Sequence, residues 1–426
     1  MSETLLIGYS RVEITPQKDV PLRGIGNSHL RMPNIHIDPL FTTCLAFTDS
    51  EGSTALVFTS DLCIAWKSVT EALRKKVWDA YGIPAEQIIL SNTHTHSGPD
   101  ISLETDYNPW YVERLFEAAT AALSDRKPGE MAIGRTSNTK QLNFVRHYFL
   151  DENGKSCGHK AEPDPQIQMV KITREGGKDI LLMNWQSHPC WGLKISHKAI
   201  SADYIGVVRN YIEEKTDCLF AFYQGAAGNI GSTSRIKAEK LTGDMQLYGG
   251  LLAERALGAL EDLTPVPNGK IRSGTRTVTL TMDHSDDHRV EDAMIITKYW
   301  AETNNRKGAD ALGKPYDIHS PYHAQAIINR SKAGETMDMT IGAVSVGELA
   351  FPWVPYEMFC ENGAYVKENS PFTATFMLSI SNERFSYVSS AQAYDYGCYE
   401  YDTRQFIKGT GEFLAETSVS LLNELK

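Results

Sequence analysis

Gln87-Ile88-Ile89-Leu90-Ser91-Asn92-Thr93-His94-Thr95-His96-Ser97-Gly98-Pro99 is the stretch on which the reading of this chain turns. An apolar run of strand length passes at once into a polar segment closed by Gly-Pro, so two imidazoles stand where a strand becomes a loop. In α/β folds ligands bind beyond the carboxyl ends of the strands, and loops held by a rigid scaffold carry the chemistry. Residues two apart in an extended segment point to the same side. His94 and His96 are therefore expected to face one ligand, with Thr93 and Thr95 turned away. Imidazole suits zinc, copper, iron or nickel, and the neighbouring Asn, Thr and Ser can fix its second ring nitrogen. So short a motif also fits a polar loop whose histidines bind nothing, and the rest of the chain has to decide.

Outward from this segment, short apolar runs alternate with amphipathic ones. Strands are predicted at 5–9, 55–59, 167–172, 180–185, 219–223, 277–282, 340–346 and 373–380. Helices are predicted at about 69–81, 109–123, 204–215, 245–263, 289–303, 323–330 and 404–422. The pattern predicts an α/β fold with mixed sheets flanked by helices. The 426 residues exceed an average domain, but no linker, charge block or low-complexity stretch divides them. A single domain over 1–426 is expected. Within it, 283–332 is polar and helical and reads as an insertion packed on the sheet edge or over the site. Its histidines, His284, His288, His319 and His323, include a helical spacing of four, read as solvated surface and not as a second metal site.

Composition narrows the function. Hydrophobic residues make up 42% and charged residues 22%, an ordinary globular balance. A net charge of −11 with no local Lys/Arg cluster argues against nucleic acid as a partner. No run of membrane-spanning length is apolar, and Met1-Ser2-Glu3-Thr4-Leu5-Leu6-Ile7-Gly8 lacks the basic start and apolar core of an export signal. A cytoplasmic location is expected. The seven cysteines are odd in number and lack CxxC pairing, which fits reduced thiols and no Cys-ligated metal.

Other predicted strands also end in polar residues that a core does not need. Asp61 follows Phe58-Thr59-Ser60 and reads either as a carboxylate orienting a histidine or as a helix N-cap. His188 follows Met183-Asn184-Trp185-Gln186-Ser187 and reads as a metal ligand. Asp203, before Tyr204, reads as the cap of a helix. In Gln224-Gly225-Ala226-Ala227-Gly228-Asn229-Ile230 the small residues let the backbone approach a ligand and offer N–H groups as oxyanion donors.

These pieces, taken in order, resemble the catalytic domain of the neutral/alkaline non-lysosomal ceramidases. The resemblance runs from Asn92-Thr93-His94-Thr95-His96-Ser97-Gly98-Pro99 through His188, Ser201-Ala202-Asp203 and Gln224-Gly225-Ala226-Ala227-Gly228. It continues through Pro355-Tyr356-Glu357 and Ser386-Tyr387-Val388-Ser389-Ser390 to Tyr399-Glu400. What it implies is a zinc site built from His94, His188, Glu357 and Tyr387, with His96, Arg146 and Tyr399 around the reacting group. Asp61, Gly228, Asn229 and Ser232 would support the site or the substrate. By themselves Glu357 and Arg146 could be surface charges and Tyr399 a packed aromatic.

Three departures bear on the substrate. The family's active-site serine position falls on Gly231, with Ser232 one place later. The chain also carries neither an export signal nor the C-terminal β-sandwich domain of the secreted ceramidases. The expected activity is therefore zinc-dependent hydrolysis of a C–N amide bond in a small or amphiphilic N-acyl compound, with ceramide itself disfavoured. A hydrolase or lyase acting on a C–O bond of a sugar derivative or ester is the alternative, and a zinc-binding protein without catalysis is a third reading.

Overall fold

Along Phe41–Thr48 successive side chains enter different apolar clusters: Cys44 and Ala46 pack with helices, Leu45 and Phe47 with a second sheet. Thr54–Ser60 and Ile88–Asn92 repeat the alternation, with Leu56, Phe58, Ile88 and Leu90 on the helix side and Ala55, Val57 and Ile89 on the sheet side. Strands covered on both faces need apolar residues at nearly every position, which is why these segments read as continuous runs. The computed structural model describes residues 4–26, 30–140, 142–146, 162–232 and 243–426, with Tyr396 described in its backbone only.

The large sheet runs in the order Leu219–Gln224, Ile180–Trp185, Ile167–Arg174, Lys127–Thr136, Leu6–Glu13, Phe41–Thr48, Thr54–Ser60, Ile88–Asn92. Its centre is antiparallel, while the two strands at each edge are parallel. The edges turn toward each other. Thr59 Oγ1 donates to Phe222 O at 2.7 Å and the Tyr223 hydroxyl donates to Val57 O at 3.2 Å. The carboxyl ends of strands far apart in sheet order thus meet, and those ends carry the polar segments singled out above.

A second sheet, Ile271–Thr281, Thr336–Val346, Leu349–Trp353 and Ala374–Thr375, packs on the first through Val344, Phe351 and Trp353. Helices cover both outer faces. Lys67–Tyr81 and Tyr107–Ser124 lie on one part of the large sheet, Tyr204–Thr216 and Met245–Gly258 on another, and Cys360–Asn369 and Thr410–Leu425 on the small sheet. The architecture is mixed α/β as expected, with two sheets between helical layers. Lys67–Tyr81 shows how sequence sets an element: Val69, Leu73 and Val77 recur at helical spacing on its buried side. Gly82 ends it at φ 66°, donating to Trp78 O at 2.9 Å, a conformation glycine adopts without strain.

Several predictions shift in detail. Phe41–Thr48 and Lys127–Thr136 are full strands where none is predicted, the first rich in threonine and the second opening on Lys-Pro-Gly. The strand expected at 373–380 is regular over Ala374–Thr375 and carries its pairing on to a bridge of Leu378 with Trp353, and the last helix starts at Thr410, not 404. Residues 283–332 form three helices, Val290–Thr303, Arg306–Gly313 and Pro321–Ser331, at the tip of the hairpin whose last pair is Thr281 with Thr336. Their core is Ala293, Ile296, Ala309, Ile318, Ala324 and Ile327. Among the described residues no helix is long and apolar enough to cross a membrane.

Candidate metal centre

The extended arrangement expected for His94 and His96 is not what brings them together. The strand ends at Asn92, and His94 takes φ 66°, the left-handed region that costs a non-glycine residue strain and that recurs at functional sites. The turn nevertheless makes the two rings converge, edge to face, with Nε2 atoms 3.3 Å apart. His94 N donates to Leu62 O at 3.0 Å, so the turn is tied to the end of the neighbouring parallel strand.

His188 comes from the opposite edge of the sheet, three residues beyond Trp185. Its Nε2 lies 3.1 Å from His94 Nε2, and Glu357 Oε2 lies 3.3 and 3.5 Å from the two nitrogens. Backbone carbonyls fix both tautomers. His94 Nδ1 donates to Cys63 O at 2.6 Å, and His188 Nδ1 donates to Ala227 O at 2.8 Å and Ile230 O at 3.0 Å. Each Nε2 then presents a lone pair. With both imidazoles neutral, two lone pairs and a carboxylate oxygen converge on one point, and Glu357 Oε2 is buried there. Such a set repels itself unless a cation sits at its centre. A tetrahedral zinc with bonds of about 2.0–2.1 Å places its ligand atoms about 3.3–3.4 Å apart, close to the spacing seen here.

The electrostatics agree. Burial raises the Glu357 carboxyl, but His94 and His188 outweigh it and hold the group well below the usual carboxylate range. Burial by itself lowers His94, but Cys63 and Glu357 reverse this and raise it to about 10, so without an ion a proton on His94 Nε2 occupies the centre, the place a metal cation would take. His188 is lowered to about 4 by burial and Arg146.

Glu357 and Tyr387 are paired in register on adjacent short strands, Glu357–Met358 and Tyr387–Val388, which puts the tyrosine beside the cluster. Burial and Glu357 push its hydroxyl well above 10. Tyr399 packs against the Tyr387 ring, 5.9 Å between centroids, and Arg146 lies 5.7 Å from the same ring. His96 is half-buried on the cavity side, with its Nδ1 unpartnered. Gly24 (φ 129°) lets a neighbouring loop close over it, since a Cβ there would meet His96 Cβ at 2.5 Å. The sequence offered no signal for Gly24. Nor did it show that Arg146 is paired with Glu400 at 2.6 Å, a carboxylate 1% exposed, and donates to Gly228 O. Glu400 adjoins Tyr399 in the motif but draws attention there only as its neighbour.

The remaining candidates lie elsewhere. Asp61 neither orients a histidine nor caps a helix: it accepts from Arg209 Nη2 at 2.7 and 2.8 Å and from Phe41 N at 2.9 Å. Asn229 is a bracket, donating to Glu361 Oε2 at 2.8 Å and accepting from Cys360 N at 2.9 Å. Gly228 packs on the backbone of the glutamate segment, where a Cβ would meet Glu357 O at 2.7 Å and Met358 O at 2.8 Å. Gly231 backs His188 in a bridge, and Ser232 is buried at the end of that segment, away from the cavity wall. Asp203 does cap Tyr204–Thr216, accepting from Tyr204 N at 2.8 Å, and also takes Gly192 N at 2.6 Å, which steadies the loop after His188.

A cavity of about 1030 Å³ opens over the cluster. His94, His96, Arg146, Glu357, Tyr387 and Tyr399 line it, and the helical segment supplies the facing wall through Arg306, His319, Tyr322 and Gln325. The 283–332 region thus lies over the site.

No protein-family model matches the chain. Among solved structures the chain is similar to a neutral ceramidase from Pseudomonas aeruginosa, with a TM-score of 0.76 at 16% identity over 100% of this chain and 75% of that one. It is also similar to a ceramidase complexed with C2, with a TM-score of 0.73 at 15% identity over 99% and 75% of the two chains. The resemblance read from the ordered sequence segments therefore extends to the whole three-dimensional arrangement: this chain has the fold of these ceramidases.

Proposed function

We propose that the chain is a zinc-dependent hydrolase that cleaves an amide bond in a small or amphiphilic N-acyl compound. The observation that carries this reading is the buried set of two imidazole Nε2 atoms and one carboxylate oxygen, converging on one point and opening on a large cavity. His94, His188 and Glu357 would hold the ion, with Tyr387 the fourth ligand. Zinc so bound with an open position lowers the pKa of water to about 7 and polarises a carbonyl, the two effects that amide hydrolysis near neutral pH needs.

The chain's own groups then divide the work. Arg146, steadied by Glu400 and Gly228 O, holds a fixed positive charge on the cavity wall where a carbonyl oxygen gains negative charge. His96 and Tyr399 flank the cluster from the cavity side, within the region where a proton leaves the attacking water and reaches the departing amine. A soluble N-acyl compound is favoured over ceramide, because Gly231 stands at the family's serine position and its backbone is spent on His188.

The test is hydrolysis by protein stripped of metal and reloaded with zinc, against N-acyl amines, N-acyl amino acids, ceramide in detergent, esters and uronate sugars. Zinc-restored release of amine, absent in His94→Ala, supports the reading. Cleavage of C–O bonds alone assigns the hydrolase or lyase alternative. One zinc per chain with no turnover on any compound leaves a ligand-binding protein.

A further inference from the structure

The chain is acidic overall, yet its cavity is walled by the opposite charge. Among the described residues six arginines line it, Arg23, Arg146, Arg306, Arg330, Arg384 and Arg404, against two carboxylates, Glu357 and Asp402. Five of the six are matched from outside the cavity: Arg23 by Asp100 at 3.3 Å, Arg146 by Glu400 at 2.6 Å, Arg306 by Asp310 at 3.8 Å, Arg330 by Asp286 at 2.6 Å and Arg404 by Asp283 at 2.5 Å. Arg384 differs. Among the described residues it has no ion pair, and the adjacent Glu383 is turned to Lys67 at 3.7 Å; its Nε is buried without a hydrogen-bond partner, as are those of Arg146 and Arg330, which have carboxylates on their other nitrogens.

The loop that carries it is fixed on three sides. Asn382 exchanges hydrogen bonds with Leu90 on the histidine-bearing strand, donating its N–H to Leu90 O at 2.8 Å and accepting Leu90 N on Oδ1 at 2.9 Å. Phe385 N donates to Pro355 O at 2.6 Å, two residues from Glu357, and the Ser386 hydroxyl donates to Thr403 O at 3.2 Å. A buried guanidinium Nε without an acceptor is costly, and a planar fork borne on a fixed loop and lacking a carboxylate of its own is suited to one brought by a ligand. Arg384 precedes Tyr387 by three residues, so their Cα atoms are no more than about 10 Å apart along the chain.

We infer that Arg384 is a specificity residue that pairs with a carboxylate borne by the substrate at a distance from its scissile amide, which makes the substrate class an acidic N-acyl compound such as an N-acyl amino acid. This rests on the amide-hydrolase reading for what is cleaved, but the recognition step stands apart from it and is tested without turnover.

The experiment is calorimetric titration of the metal-free full chain with N-octanoylglycine and with its neutral counterpart N-octanoylglycinamide. The wild-type chain is expected to bind the acid at least about 10-fold more tightly, Arg384→Gln to bind the two alike, and Arg384→Lys to keep part of the preference. Thermal melts identify any variant that fails to fold, and Arg384→Lys then carries the comparison. Equal binding of acid and amide by the wild type, no binding of either, or a preference intact in Arg384→Gln overturns the assignment. A preference that Arg384→Gln abolishes, together with no cleavage of the acid by the zinc-loaded enzyme, keeps the recognition and removes the hydrolase reading. Cleavage of both compounds without a binding preference does the reverse.

Discussion

Among the described residues two clusters place two histidines and a carboxylate so that their ligand atoms lie within 4.8 Å: His94, His188 and Glu357, and His319, His323 and Asp402. Distance does not separate them; hydrogen bonding does. In the first, both Nδ1 protons go to backbone carbonyls, so both Nε2 atoms and Glu357 Oε2 are left to converge on one centre. In the second, His319 sits between two carboxylates, with Nδ1 2.9 Å from Asp402 and Nε2 3.1 Å from Asp317. The Asp402 hydrogen bond leads in raising His319 to about 9, so the imidazolium is itself the cation that the carboxylates need. His323 accepts from the His319 N–H at 3.3 Å, and burial lowers it to about 4, which leaves it neutral. In the first cluster a metal can replace the single proton at the point where two Nε2 atoms and a carboxylate oxygen meet; in the second, both His319 nitrogens are on carboxylates and His323 Nδ1 is on a backbone N–H, so no such set of nitrogens converges. Ligand proximity is therefore a weak criterion for a metal site, and an excess of converging lone pairs is a strong one.

Metal content gives the sharpest break. His94→Ala and His188→Ala are expected to drop bound zinc from one per chain to a trace and to reduce turnover by about 10³-fold or more, because no solvent ligand restores the lost bond in the same geometry. His319→Ala and His323→Ala are expected to leave the zinc stoichiometry at one. Elemental analysis after gel filtration reads both, and a loss of zinc in His319→Ala would undo the distinction between the clusters.

The second test separates holding the ion from acting beside it. Tyr399→Phe is expected to keep its zinc and lose about 10²-fold in kcat, the usual size of a lost proton-transfer or oxyanion group. Glu400→Ala leaves Arg146, 16% exposed, without the carboxylate that matches it. A broken buried pair costs about 3–5 kcal/mol. Chemical denaturation should show that loss in Glu400→Ala and almost none in Tyr399→Phe; equal stability of the two would mean that the Arg146 pair is not structural.

How much of this was legible in the sequence follows from how local each feature is. The apolar run ending in histidines is a local pattern, and both of its imidazoles line the cavity. The convergence was not legible, because it depends on a left-handed residue at His94 and on two sheet edges curling together through Thr59 and Tyr223. His188 was read from its place at a predicted strand end, whereas Glu357 and Tyr387 were reached only through the order of segments, since the parallel strands that bring them together come from separate parts of the chain. Asp61 was misread because nothing near it in sequence marks Arg209, 148 residues away, as its partner. Phe41–Thr48 escaped because three threonines dilute its apolar signal, although Thr42 and Thr43 are buried in the sheet.

A smaller effect probes how the ion-binding cluster is held. Gly228 N donates to Met358 O at 2.7 Å, and the missing Cβ is what lets the two backbones meet. Gly228→Ala is expected to push the Glu357 segment outward, to cost about 1–3 kcal/mol as overpacking does, and to weaken zinc retention against a chelator. Gly250→Ala, in open space on a helix, is the control and should leave both unchanged.

The smallest effect tests the self-sufficient cluster through pH. His319 is raised to about 9, above its unfolded value, so its contribution to stability is fully present below about pH 6.5 and is lost as pH rises through 9. With 39% of its side chain exposed, solvent screens the pairing and the contribution stays small. The Tm of the wild-type chain should therefore fall relative to His319→Gln by at most about 2 °C between pH 6.5 and 9.5, with no change in bound zinc over the same range. A Tm difference that is flat with pH would show that His319 is neutral between Asp317 and Asp402. The second cluster would then lack its internal cation and would resemble the first, and the contrast that distinguishes a metal centre from an ion-pair network in this fold would fail at its second term.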